Sequence, residues 1–146
     1  MQDTTISLCM IVINEERVLA RCLDSVADLV DEIIIVDTGS TDATKEIAAR
    51  YTEQIYDLVW QDDFAAARNF SFSKASMDYI YAPDADEVLD EENRQAFRKL
   101  KAALLQEVEI VQMKYHTVTD YNTVLNAKME YRPKLFKRLR TFTWID

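Results

Sequence analysis

Glycine is almost absent from this chain: Gly39 is the only one among 146 residues. That excludes the Gly-rich loops of P-loop and dinucleotide-binding proteins, whose phosphate cradles need several residues without a Cβ. Histidine occurs once, and His116 on its alternating strand pattern reads as a half-exposed structural residue before a ligand. The two cysteines, Cys9 and Cys22, have no metal-binding spacing and sit in apolar settings, as reduced thiols do in a cytosolic protein. No apolar run is long enough to cross a bilayer, and residues 6–13 are too short and lack the basic lead of a secretory signal. The expected location is therefore cytoplasmic. Basic residues are outnumbered 17 to 26, for a net charge of -9. Nucleic acid is thus not the expected partner, since its binders present a basic face. Small phosphorylated ligands remain open, because a metal ion or one Arg can hold them.

What the chain does have is apolar sequence, 49% of its residues, enough for one domain with a real core. Residues 6–13 form a near-continuous apolar run, the pattern of a parallel strand covered on both faces. Asn14 follows as a helix N-cap candidate with Glu15 and Glu16 in the first turn, and Val18, Leu19, Cys22 and Val26 recur at helical spacing. Residues 32–36 read as a second buried strand, 43–51 as a helix and 55–59 as a third strand. Asp62 and Asp63 can cap a helix over 64–75, and 79–82 reads as a fourth strand. Asp90 can cap a further helix that buries Phe97, Leu100 and Leu104. Strands alternating with helices imply parallel pairing through right-handed crossovers, hence an α/β sandwich of layers. From Val108 the pattern changes to period two, with Asn122 as a turn, and implies antiparallel strands laid on or beside the parallel sheet. The late basic cluster of Lys128, Arg132, Lys134, Lys137, Arg138 and Arg140 reads first as a solvated strand face, with a phosphate or membrane-surface site as the alternative.

In such a sheet, ligands bind where the strands end. Four polar sets fall there: Asn14-Glu15, Asp37 with Thr38-Gly39-Ser40, Asp62-Asp63 with Arg68-Asn69, and Asp84-Ala85-Asp86-Glu87. Each has a plain structural alternative. Asn14 and Asp62 can be helix caps, Asp37 can hold its own turn, and Arg68 can pair with a surface acid. The last set is the most suggestive. In an extended backbone, Asp84 and Asp86 face the same way, and two hard oxygen donors so placed suit Mg2+ or Mn2+ that also holds phosphates.

Read in order, residues 6–16, 31–42, Trp60 with 62–69, and 84–89 strongly resemble the family 2 glycosyltransferases of the GT-A fold. The branch most like them includes peptide S-glycosyltransferases and tetratricopeptide-linked glycosyltransferases, and the likeness covers roughly residues 5–100. It implies a single domain over residues 1–146, with a nucleotide-sugar part at about 5–107 and the start of an acceptor-side region at 108–146. It implies that Ile13, Asn14 and Glu15 line the nucleotide pocket and that Asp37 bonds the base, uracil in most members. By the same likeness Arg68 lies beside the nucleotide or its phosphates. Asp84 and Asp86 match the metal and ribose motif, Asp86 as the direct ligand of Mn2+ or Mg2+. The implied reaction is metal-dependent, inverting transfer from a nucleotide-diphospho-sugar, expected to be a UDP-sugar. The acceptor class stays open among peptide, glycan and lipid-linked.

Two departures stand out. Pro83 precedes Asp84 where the family more often carries a bulky apolar residue. Family members also continue well beyond this length to supply acceptor contacts and the base, so the chain is expected to be a fragment or a shortened relative. Asp120 and Glu130 are available carboxylates without a motif, and no catalytic base is assigned. The alternative function is a non-catalytic module that binds the nucleotide sugar. Strands after Val108 without partners would leave an edge open to self-association.

Overall fold

The computed structural model describes residues 4–103, 110–118 and 127–137. Six strands form one sheet: β1 (Ile6–Val12), β2 (Glu32–Asp37), β3 (Ile55–Asp57), β4 (Tyr79–Tyr81), β5 (Ile110–Val118) and β6 (Ala127–Lys137). Their order is β3-β2-β1-β4-β6-β5, with β1 parallel to both β2 and β4. Helices α1 (Leu19–Val26), α2 (Thr44–Ala48), α3 (Phe64–Ser73) and α4 (Glu91–Ala103) make the crossovers.

The apolar run of β1 is the reason for the layers. Ile6, Leu8, Met10 and Val12 point to one face, where they meet Leu19, Leu23 and Val26 of α1, Ile47 of α2 and Phe97 of α4. Cys9 points the other way, with Ile34 and Ile80, under Phe72 of α3. Each large side chain buried in this way contributes about 1.5–3 kcal/mol. Burial also pushes the Cys9 thiol far above its ordinary range, so it stays a protonated core residue.

The antiparallel end lies beside the parallel sheet. β6 pairs with β4 and aligns Phe136 with Ile80, and the Phe136 ring sits 5.6 Å from that of Phe72. β5 pairs with β6 through a shift in register, Val111 opposite Leu135 and Gln112 opposite Pro133. That irregularity accommodates a proline, which has no N–H for the ladder. Leu104, Asp120, Asn122, Arg138 and Arg140 lie outside the described residues, as do the side chains of His116, Lys128, Glu130, Arg132, Lys134 and Lys137.

The N-cap expected at Asn14 is not there. α1 begins at Leu19 with Val18 before it and no side-chain cap, while Asn14 takes a left-handed backbone, φ 50°. Its side-chain oxygen accepts from the Thr41 N–H at 2.8 Å, a contact 27 residues away that local sequence does not announce. Asp62, the other cap candidate, also takes a left-handed backbone, φ 55°, and bonds Trp60 instead, while the remaining caps are local. Asp63 accepts from the Ala66 N–H at 2.9 Å, and Asp90 from that of Asn93 at 2.8 Å.

At the opposite edge of the sheet, the Glu32 carboxylate gathers the Ser7 hydroxyl (2.7 Å), the Ser76 N–H (2.9 Å) and hydroxyl (2.8 Å), and the Gln54 amide (3.2 Å). Burial raises its pKa, but these bonds outweigh burial and leave the carboxyl below its usual value. A folded pKa below the unfolded one stabilises above the unfolded value, and the contribution disappears as pH falls through the folded one. Glu32→Gln should therefore cost about 1.5 kcal/mol at pH 7. In urea melts the gap between wild type and variant should close as the pH drops below the ordinary glutamate range.

Candidate functional site

A cleft of about 530 Å³ opens at the carboxyl ends of the parallel strands. Ile11, Val12, Ile13 and Glu15 form its floor, Thr38 one side, and Asp84, Ala85 and Asp86 another. Trp60, between β3 and α3, and Phe64, the first residue of α3, also line it.

The floor and the side are clasped by side chains. The Thr38 N–H donates to the Val12 carbonyl at 3.0 Å, and the Asn14 N–H donates to the Ser40 hydroxyl at 2.9 Å. The Glu15 N–H donates to the Thr44 hydroxyl at 2.8 Å, and Glu16 accepts from the Ala43 N–H at 3.0 Å. Glu15 is thereby fixed by its backbone while its carboxylate faces the cleft. Burial raises the Glu15 pKa, and Asp86, Asp42 and Asp84 raise it further. Negative charge is thus crowded at this end of the cleft.

Asp37 ends β2 opposite Val12 and is 2% exposed. One of its oxygens, Oδ2, accepts from the N–H groups of Gly39 (3.2 Å) and Ser40 (3.0 Å), so it does hold its own turn. The other, Oδ1, is buried with no hydrogen-bond partner. Such an atom costs free energy unless a donor reaches it.

The carboxylate loop after β4 is held by α1. The Cys22 thiol donates to the Asp84 carbonyl at 3.7 Å, and the Leu89 N–H donates to the Ser25 hydroxyl at 3.1 Å. Burial first, then Glu87, Asp86 and Asp84, push the Cys22 thiol to about 12, so it is a protonated donor. Arg68 lies behind the cleft on α3, 7% exposed, its guanidinium 4.9 Å from the Phe64 ring centre. Burial lowers its pKa, while Asp84, Cys9 and Glu87 work in the opposite direction.

Of the residues expected from sequence, Ile13, Glu15, Asp84 and Asp86 come together on the cleft. Asp37 is buried one residue before the lining Thr38, and neither it nor Asn14 nor Arg68 lines the cleft. Trp60 and Phe64 were absent from that set. Their signal was two aromatics flanking an Asp-Asp pair just after a strand, where a core role for both is implausible. Among the described residues, no three His, Cys, Asp or Glu side chains form a ready metal cage.

The fold and the cleft define a GT-A-like α/β domain. A family model, Glycosyl transferase family 2, matches residues 7–145, and the chain belongs to that family. A TPR repeat-containing protein of Synechococcus elongatus is 50% identical over 84 residues, covering 58% of this chain and 21% of that protein. The glycosyltransferase SunS of Bacillus subtilis is 36% identical over 103 residues, covering 68% of this chain and 24% of its own length. This chain thus spans about a quarter or less of these two relatives. Among solved structures, glucosyl-3-phosphoglycerate synthase from Mycobacterium tuberculosis, in complex with Mn2+ and UDP-glucose, is 27% identical with a TM-score of 0.51. The match covers 58% of this chain and 34% of that one. TarS of S. aureus, in complex with UDP, shares the fold with a TM-score of 0.55 at 21% identity, over 66% of this chain and 32% of that one.

The Asn14 clasp generates a test. Asn14→Ala loses a hydrogen bond and places a Cβ-bearing residue without a polar side chain in the left-handed region, at a cost of about 2 kcal/mol. Asn14→Gly restores the backbone freedom alone and should recover part of that loss in urea melts.

Proposed function

We propose that this chain binds a nucleotide-diphospho-sugar, uridine-linked, and carries the donor side of an inverting glycosyl transfer. The observation that carries the reading is the buried, partnerless Asp37 Oδ1, one residue before Thr38, which lines the same cleft as Asp84 and Asp86. A uracil N–H is the kind of donor that would satisfy this oxygen. The Mycobacterium tuberculosis synthase, a structural neighbour, was crystallised with UDP-glucose and Mn2+, which supports the same class of donor here.

The residues fit a divalent ion. Asp84 and Asp86 offer hard oxygens, and beyond the effect of burial they repel the nearby Glu15 carboxylate, a repulsion that a cation would relieve. Mg2+ and Mn2+ need only one or two carboxylates when phosphate oxygens complete the shell. Bound there, the ion supplies positive charge at the diphosphate. In the reaction, the acceptor nucleophile forms a bond to the anomeric carbon as the bond from that carbon to the diphosphate oxygen breaks. The acceptor's proton passes to a base. Asp37 holds the base end of the donor, the Asp84–Glu87 loop holds the diphosphate end, and Arg68 supports the wall from behind.

Calorimetric titration with UDP, GDP and CDP, with Mn2+ and with chelator, tests the reading. UDP should bind tightest and Mn2+ should tighten it. Asp37→Asn should weaken UDP about tenfold, the worth of a lost charged hydrogen bond, with the melting temperature little changed. Asp86→Ala should remove the Mn2+ effect. Equal affinity for UDP with and without Mn2+ would defeat the metal assignment, and unchanged affinity in Asp37→Asn would remove that residue from the site. Donor binding without turnover on any acceptor would make the chain a donor-binding module.

A further inference from the structure

The geometry points to Trp60 as the flat surface on which the nucleobase of the donor stacks, with Asp62 as the residue that sets the indole in place. This rests on the nucleotide-sugar reading above and adds to it a residue that holds the base.

Trp60 is 41% exposed, an unusual state for so large an apolar ring, and it faces the cleft. Among the described residues it has no aromatic or cationic partner, whereas neighbouring Phe64 already has the Arg68 guanidinium over its ring. The indole is not loose. Its Nε1–H donates to Asp62 Oδ1 at 3.0 Å, and Asp62 reaches it from a left-handed backbone, φ 55°. Asp is among the few residues that tolerate that region. A ring held by its edge and exposed on the cleft, with no aromatic partner among the described residues, is arranged to receive another flat group.

Strand order says which flat group. The segment bearing Trp60 follows β3, and β3 pairs with β2 so that Asp57 lies opposite Asp37. The Leu58 N–H then donates to the Asp37 carbonyl at 2.9 Å, which ties this segment to the residue whose unpartnered oxygen suits a base N–H. Asp84 and Asp86 follow β4, which is three strand positions from β3, a nominal separation of about 14 Å at about 4.8 Å per strand. A nucleoside diphosphate laid across that span, its phosphates at the carboxylates, brings its base to Asp37 and Trp60. The sugar hangs from the far phosphate and lies at the other end. Trp60 therefore meets the base and not the sugar.

The test uses the full chain and compares UMP, UDP, a UDP-sugar and ribose 5-phosphate. Trp60 and Trp144 are its two tryptophans, so Trp144→Phe leaves Trp60 as the only indole reporter. UMP should quench its fluorescence saturably, and ribose 5-phosphate, which has no base, should not. Trp60→Ala should weaken UMP, UDP and the UDP-sugar by one common factor of about tenfold, in the range for base–aromatic stacking, with or without Mn2+. Trp60→Phe should retain most of the affinity. Asp62→Ala should lose part of it, and Asp62→Asn, which keeps an oxygen acceptor and the left-handed backbone, should restore it. Unchanged UMP affinity in a folded Trp60→Ala variant overturns the inference while leaving the nucleotide-sugar reading intact. A loss confined to the UDP-sugar also overturns it, and reassigns the ring to the sugar. A wild-type chain that binds neither UMP nor UDP defeats both readings together.

Discussion

Strand β1 is hydrogen-bonded to a parallel neighbour on each side and covered by helices on both faces. Nothing polar can be placed along it without loss, and Ser7, the one hydroxyl within it, is bonded to Glu32. The chain can turn toward water only where β1 ends. Everything around the cleft follows from that: the loop after Val12 must cross toward the loop after Asp37, and the two meet through Thr38, Ser40, Thr41 and Thr44. Polar side chains replace the apolar contacts that hold the rest of the sheet, so the cleft is built from hydrogen bonds on an apolar platform.

Strand β2 shows how differently its two ends are treated. It begins and ends with a carboxylate, Glu32 and Asp37. Glu32 has both oxygens bonded by partners from three other segments, and its lowered pKa reflects a charge fully accommodated by the protein. Asp37, more deeply buried, has one oxygen bonded and one left without a donor. The first carboxylate completes the fold. The second leaves it incomplete, on the same edge as Glu15, Asp84 and Asp86, where negative charges crowd one another. A ligand that brought one N–H donor and a cation would answer both deficits.

The layers, the parallel order and the antiparallel end were legible because they rest on local signals: an unbroken apolar run in β1, helical spacing from Leu19 to Val26, period two after Val108. Local caps such as Asp63 were legible for the same reason. Asn14 was misread because its local setting is that of a helix cap, and only its bond to the Thr41 N–H in the loop after β2 reveals its other use. The third strand was expected to reach Val59, yet β2 ends at Asp37, so pairing stops at Asp57 and Val59 is left 79% exposed. The Glu32 cluster joins residues 25 and 44 positions apart, and no periodicity encodes such a meeting. The convergence of Ile13, Glu15, Asp84 and Asp86 was readable from the rule for parallel sheets. The place of Trp60 on the cleft carries no spacing pattern, and its one sequence signal is the pair of aromatics around Asp62 and Asp63.

Among the described residues, positive φ occurs at Asn14, Gly39 and Asp62, and all three lie in loops at the carboxyl edge of the sheet. Gly39 has open space where a Cβ would go, so its φ of 112° alone, and not crowding, calls for glycine. With a single glycine in the chain, two of the three turns rest on Asn14 and Asp62, whose side chains also bond the Thr41 N–H and the Trp60 indole. A loop made supple by glycine would have to be ordered by its ligand, at an entropic cost charged against affinity. Here the handedness of a few residues sets the rim before any ligand arrives, so binding can draw on a small number of contacts and lose little of their worth to ordering the protein.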